Sequence, residues 1–168
     1  READYQNPID LTMVSKALCR FHNASRGIKY VTPHRDKLYS WLPTFEKRAA
    51  ELLKFKEIAD LHEIKTGFDK IYLDFVDRYY EDAQKSITLL KSSGYQKLCD
   101  IVSETKNICH HDLAYHNAII DINNDVYFVD FDYCILDLRV HDIANLLVKS
   151  IKNCGWDVEK ASGIIKDY

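Results

Sequence analysis

Between His110 and Asp132 the chain reads His110-His111-Asp112-Leu113-Ala114-Tyr115-His116-Asn117, then two short β-rich runs, then Val129-Asp130-Phe131-Asp132. Phosphoryl transfer to a hydroxyl spreads negative charge over the migrating group. It calls for a divalent cation on hard oxygen ligands, and for a carboxylate that orients or deprotonates the acceptor hydroxyl. Asp112 suits the hydroxyl. Asn117, five residues later, and Asp130, beyond the β-rich runs, suit Mg²⁺ that bridges nucleotide phosphates. Phe131 follows where a ring must pack beneath that second carboxylate. His110 reads as a support that bonds backbone near Asp130 and moves no proton, a role close to that of a plain core histidine. Asp132 either faces the acceptor or bonds backbone, and the structural role is the expectation.

These groups converge only if a turn brings the two segments together. Ala118 to Ile122 and Val126 to Val129, around Asn123-Asn124-Asp125, predict a small β-hairpin, and strands are expected only in this region. Helical spacing comes before and after it. Asn7 caps a first helix with Pro8 at its first position and Asp10 near its positive end; Leu11, Val14, Ala17, Leu18 and Phe21 form its apolar face. His22, at the end of that helix, is expected to be a packed or capping histidine. Residues 28 to 43 read as irregular, with Pro33 and Pro43 as breaks, before a second stripe of Phe45, Ala49, Leu52, Phe55 and Ala59. After Gly67, the spacing of Phe68, Ile71, Tyr72, Phe75, Tyr79, Ala83, Ile87 and Leu90 predicts about six helical turns. Its aromatic face is expected to be core, packed beneath the 118 to 129 hairpin. Ile143, Leu146, Leu147 and Ile151 mark another helix, closed by Gly155, and Asp157 caps a last one toward Tyr168. The fold class is α+β, mostly helical.

Composition narrows the partners. At 168 residues the chain can form one domain with a real core. No run approaches the roughly 20 apolar residues of a bilayer span, so no membrane partner is expected. A net charge of -3 gives no overall basic field, so no nucleic-acid partner is expected either. The five cysteines, Cys19, Cys99, Cys109, Cys134 and Cys154, form no Cys-x-x-Cys pair, which argues against a disulfide framework or a thiolate zinc site. An intracellular setting is expected, and Arg1-Glu2-Ala3-Asp4-Tyr5 lacks the apolar core of a signal peptide.

His110-x-Asp112-x-x-x-x-Asn117, Val129-Asp130-Phe131-Asp132 and Asp142-Ile143-Ala144 together resemble the aminoglycoside phosphotransferase and choline kinase group of small-molecule kinases. The resemblance implies a protein-kinase-like C-terminal lobe whose hairpin carries the catalytic and metal loops. It also implies ATP and Mg²⁺ as cofactors, and an Asp142 that anchors the catalytic loop from the following helix. Within the group, Cys109-His110-His111-Asp112, Phe131-Asp132-Tyr133-Cys134, Asp137-Leu138 and Trp156-Asp157 are similar to the bacterial spore coat kinase-like proteins, the spore coat protein S family. Arg1-Glu2, Asp4-Tyr5, Asn7-Pro8 and Phe21-His22-Asn23-Ala24-Ser25 extend the similarity over nearly the whole chain. That family implies a spore coat location, an unidentified small-molecule or coat-protein acceptor, and other coat proteins as partners. In the group the acceptor pocket is often lined by carboxylates when the acceptor is cationic; Glu2, Asp4, Asp137 and the tyrosines are the candidates here.

Two departures stand out. The usual Gly between His and Asp is His111. The nucleotide lobe, with its phosphate-binding Lys, and the last C-terminal helices have no counterpart, so residues 1–168 are expected to be a C-terminal lobe that is inactive alone, from a parent that transfers the γ-phosphate of ATP. Two alternatives stand beside this reading. One is a catalytically silent coat component with a kinase fold. The other is a metal-dependent phosphohydrolase using His110, His111-Asp112 and His141-Asp142, which requires those residues on helices and a transition metal.

Overall fold

A computed structural model describes residues 1–29 and 31–168. Among the described residues four α-helices are followed by four short strands and then two α-helices: α1 (Pro8–Ala24), α2 (Trp41–Leu61), α3 (Gly67–Ser92), α4 (Tyr95–Thr105), β1 (Ile108–Cys109), β2 (Ala118–Ile120), β3 (Val126–Phe128), β4 (Ile135–Leu136), α5 (Val140–Ile151) and α6 (Val158–Asp167). The expected α+β, mostly helical class is what the protein has. The chain divides into two compact units, Arg1–Leu38 with Asp100–Tyr168, and Tyr39–Cys99.

The first unit holds every candidate site residue. Asn7 caps α1, its side chain accepting from Ile9 N–H at 2.9 Å, with Pro8 where a missing N–H costs nothing. Asp10, one turn in, is buried and takes a fork of two bonds from the Arg1 guanidinium at 2.5 and 2.7 Å, plus the Asp4 N–H at 2.9 Å. This ties down the first residues, which then run beside the hairpin: Ala3 N–H donates to Ala118 O and Ile120 N–H to Arg1 O, both at 2.8 Å. The hairpin itself pairs Ala118 with Phe128, Ile119 with Tyr127 and Ile120 with Val126. Asp121 closes its turn, accepting from Asn123 N–H and Asp125 N–H at 2.8 and 2.9 Å. Val14 and Leu18 of α1 join Leu113, Ala118, Ile120, Leu146 and Ile164 in one buried core. Asp157 caps α6 by accepting from Glu159 N–H and Lys160 N–H.

The second unit is a helix pair. Thr66 and Asp69 form a reciprocal capping box at the start of α3, Tyr72 Oη donates to Leu52 O at 2.9 Å, and the Lys56 ammonium meets Asp77 at 2.7 Å. Val76 and Ile87 are buried.

Several expectations change. Strands are not confined to residues 118 to 129, because β1 pairs antiparallel with β4, Ile108 opposite Leu136. Pro43 does not break the chain: it lies in the first turn of α2, where no backbone donor is needed. Within the first unit α1 packs on the hairpin, with Phe21 against Phe128 at 6.0 Å between centroids, and within the second α3 packs on α2. The aromatic stripe of α3 is not core within its unit: Phe68 is 74% exposed, Ile71 63% and Tyr79 61%. Helical periodicity identifies the apolar face of a helix and leaves open what covers it.

Candidate functional site

The loop from His110 to Asn117 leaves β1 and is pinned from behind by Asp142, in the first turn of α5. The Asp142 carboxylate is fully buried and accepts the N–H of His110 at 2.6 Å and of His111 at 2.8 Å, with His22 Nε2 at 3.0 Å. Burial alone would raise its pKa; hydrogen bonds from His141, His22 and the two amides outweigh this and hold the carboxyl well below the usual carboxylate range. His22 Nδ1 lies 2.7 Å from Tyr168 Oη, so both ring nitrogens are committed. Cys109 Sγ donates to Leu138 O at 3.2 Å, and burial pushes its thiol pKa up. His22, Cys109 and Asp142 thus bring three potential metal ligands within 4.8 Å, but each already has a protein partner.

His111 takes a left-handed backbone, φ 72°, which explains why glycine is the ordinary residue at such a position. His111 packs edge-on against His141 at 4.4 Å, and burial lowers its pKa.

His110 joins the two halves of the site. Its Nε2 lies 2.9 Å from Val129 O and its Nδ1 accepts the Asp112 N–H at 3.4 Å, a pair of partners that suits the neutral Nε2–H tautomer. Val129 N–H in turn donates to Asn117 O at 3.0 Å, so the residue before Asp130 is fastened to both ends of the loop. Asp130 follows with a left-handed backbone, φ 61° and ψ 70°. Phe131 stacks obliquely on His110 at 4.7 Å and on Phe21 at 5.6 Å, and so packs under the turn. Asp130 and Asp132 are exposed, and neither carboxylate has a hydrogen-bond partner among the described residues. The backbone-bonding role expected for Asp132 is therefore not what the fold gives it.

Asn117 is buried and spends its amide nitrogen on Asp112, on the main-chain O at 3.0 Å and on Oδ2 at 3.4 Å. Its Oδ1 is left with no hydrogen-bond partner among the described residues. The open carboxylates of Asp130 and Asp132 are, like this amide oxygen, hard oxygen donors of the type Mg²⁺ prefers.

Asp112 is one-third exposed, at 33%, and its Oδ1 receives the Lys149 ammonium at 2.5 Å. The hydrogen bond from Lys149 is the main reason its carboxyl is held below the usual range. Sequence reasoning missed Lys149, which lies 37 residues away on α5. Tyr5, among the tyrosines considered for the acceptor, has a buried hydroxyl that donates to Leu113 O at 3.2 Å and braces the loop from the N-terminal segment. An open cleft of about 610 Å³ lies beside the loop, lined among others by Glu2, Asp4, Tyr5, Tyr115, Lys149 and Lys152. Of the acidic acceptor candidates, Glu2 and Asp4 line it, whereas Asp137 is buried and accepts the Leu138 N–H at 2.7 Å.

Residues 3–155 match the choline/ethanolamine kinase family. The chain belongs to that family. In fold it is similar to the crystal structure of an aminoglycoside phosphotransferase from Alicyclobacillus acidocaldarius, with a TM-score of 0.84 and 22% identity over 99% of this chain. The chain spans about half, 49%, of that protein's length. His110, His111 and Asp112 lie in the loop between β1 and β2, outside any helix, and only His141 and Asp142 are helical, on α5, so the phosphohydrolase alternative has only part of the helical placement its ligands need. Among the described residues no helix is long and apolar enough to cross a membrane.

Proposed function

We propose that the full-length protein transfers the γ-phosphate of ATP to a hydroxyl of its acceptor, with Asp112 at the hydroxyl and Asn117 Oδ1 and Asp130 as oxygen ligands for Mg²⁺. Asp132 is available as a further ligand. The observation that carries the reading is the orientation of Asn117: its nitrogen holds Asp112 while its oxygen remains free. Mg²⁺ held there would neutralise charge on the nucleotide phosphates. The chain's own residues do the rest. Asp142 holds the loop amides, His110 holds Val129, and Asp112, kept ionised by Lys149, is a weak base whose task is to orient the hydroxyl.

Similarity of the motifs around Cys109 and Phe131 to the spore coat protein S family supports an acceptor that is a small molecule or coat component, and a place in the spore coat with other coat proteins as partners. Scattered unpaired cysteines support an intracellular setting. A silent coat component with the same fold is the second reading. Engagement of both Asp112 oxygens, by Lys149 and by Asn117, is the observation that favours it.

Calorimetric titration of the full-length protein with Mg-ATP, combined with a transfer assay over hydroxylated metabolites and coat extracts, tests the proposal. Asp130→Ala is expected to abolish Mg-nucleotide binding, and Asp112→Asn to abolish transfer while nucleotide binding survives. Wild-type binding by the Asp130→Ala variant would refute the metal assignment; nucleotide binding with no transfer to any acceptor would favour the silent component. Residues 1–168, which span 49% of the length of that aminoglycoside phosphotransferase, are expected to transfer nothing alone, since positioning the phosphates also takes a Lys and a covering loop.

A further inference from the structure

The cleft beside the loop carries charge of both signs. Glu2 and Asp4 come from the N-terminal segment, and Lys149 and Lys152 from the C-terminal end of α5, three residues apart and so neighbours on one helix face. Lys149 uses one of its three N–H donors on Asp112, leaving two to serve the cleft it lines. Neither the Lys152 ammonium nor the Glu2 carboxylate has a hydrogen bond or ion pair among the described residues. Asp4 keeps one carboxylate oxygen on the Gln6 N–H, at 2.8 Å.

Lysines at a helix C-terminus favour the helix on their own account. That explanation covers the position of Lys152 in the sequence. It does not explain why a second lysine one turn earlier reaches from α5 to the side chain proposed to hold the acceptor hydroxyl. Lys149 both lines the cleft and holds Asp112 Oδ1, so a molecule whose hydroxyl meets Asp112 from this cleft lies beside that ammonium. A purely cationic acceptor would meet like charge there, and a purely anionic one would meet like charge at Glu2 and Asp4.

We propose that the cleft binds a small zwitterionic hydroxy compound, its anionic group on Lys149 and Lys152 and its ammonium on Glu2 and Asp4, with the hydroxyl directed to Asp112. This rests on the phosphotransferase reading, since it names the acceptor class of that same site. It departs from the cationic alcohols in the family's name.

Three small probes differ in these groups alone: L-serine carries both charges, ethanolamine lacks the carboxylate and 3-hydroxypropanoate lacks the ammonium. Ligand-observed NMR titrations on the full-length protein are expected to give L-serine at least about tenfold tighter binding than either single-charge probe, the factor set by one added charged hydrogen-bond contact. Lys152→Met should weaken L-serine and 3-hydroxypropanoate roughly tenfold while ethanolamine binds no more weakly than before, and Lys152→Arg should restore both. Glu2→Gln should weaken L-serine and ethanolamine and spare 3-hydroxypropanoate. Ethanolamine binding as tightly as L-serine, a Lys152→Met variant that treats all three probes alike, or no binding by any probe would each overturn the proposal. The phosphotransferase reading fails separately, through absence of Mg-ATP binding. Charge-selective probe binding without Mg-ATP binding would refute that reading and keep the cleft assignment, whereas Mg-ATP binding without charge selectivity would refute the cleft assignment alone.

Discussion

Replacing Asp142 with Ala removes the one acceptor shared by three donors: the His110 N–H, the His111 N–H and His22 Nε2. His22 keeps Tyr168 through its other nitrogen, so the damage falls mainly on the two amides, which have no other hydrogen-bond partner among the described residues. A buried donor left without a partner costs about 1–3 kcal/mol, and breaking a buried charged pair about 3–5 kcal/mol, so a loss of about 3–5 kcal/mol is expected. Against a total stability of about 5–15 kcal/mol, that is a large fraction. Urea unfolding should show a midpoint lower by about 2 M, taking a slope near 2 kcal/mol per M. The pH dependence adds a second readout. Asp142 has a folded pKa below its unfolded value of about 3.9, so its contribution is fully present above about pH 4 and is lost as pH falls further toward the folded value. The variant should therefore lose less stability on acidification than the parent. Amide exchange at His110 and His111 should accelerate more than exchange in α1. A loss below about 1 kcal/mol with an unchanged acid limb would show that the loop is held by other contacts.

Asp130→Gly separates function from stability: relief of the left-handed backbone should leave stability unchanged or up to about 1 kcal/mol higher while Mg-ATP binding disappears, and a loss of more than about 1 kcal/mol in a melt would contradict this. Tyr5→Phe removes the hydroxyl that donates to Leu113 O, and about 1 kcal/mol should vanish in chemical denaturation with no change in secondary structure by circular dichroism; no loss would mean that the ring alone does the bracing. Thr66→Ala should cost about 1 kcal/mol through half of the α3 capping box. Hydrogen bonds from the Thr66 N–H, then His62 and the Thr66 hydroxyl, lower the Asp69 pKa to about 2, so this cap should hold above about pH 4 and fail as pH falls toward 2; an α3 that keeps its amide protection at pH 2 would refute the assignment.

What could be read from the sequence had its cause within a few residues. Asn7 and Pro8, Asp157 with Glu159, and the alternation on both sides of Asp121 to Asp125 each act on a cap or turn that their own neighbours complete. The pairing of β1 with β4 could not be read this way, because two-residue strands carry almost no alternation and Ile108 meets Leu136 only after the whole loop and hairpin have intervened. α4 escaped for a related reason: a helix of 11 residues shows its apolar stripe only once, and Gly94 before it reads as a break.

The same distinction governs the site. Phosphoryl transfer needs certain oxygen ligands at short spacings, and those spacings survive in any sequence that uses them, so Asp112, Asn117 and Asp130 are visible as a pattern. Whether Asp112 is a base, an orienting group or a spent carboxylate depends on its partner, and that partner is Lys149, brought from α5 by the fold. A lysine on a helix has dozens of ordinary explanations, and nothing in its local neighbours distinguishes one that reaches a catalytic loop. The choice between an active enzyme and a silent coat component therefore turns on a contact that only the three-dimensional structure supplies. Charge selectivity of the cleft that the same Lys149 lines is the measurement that bears on it most directly.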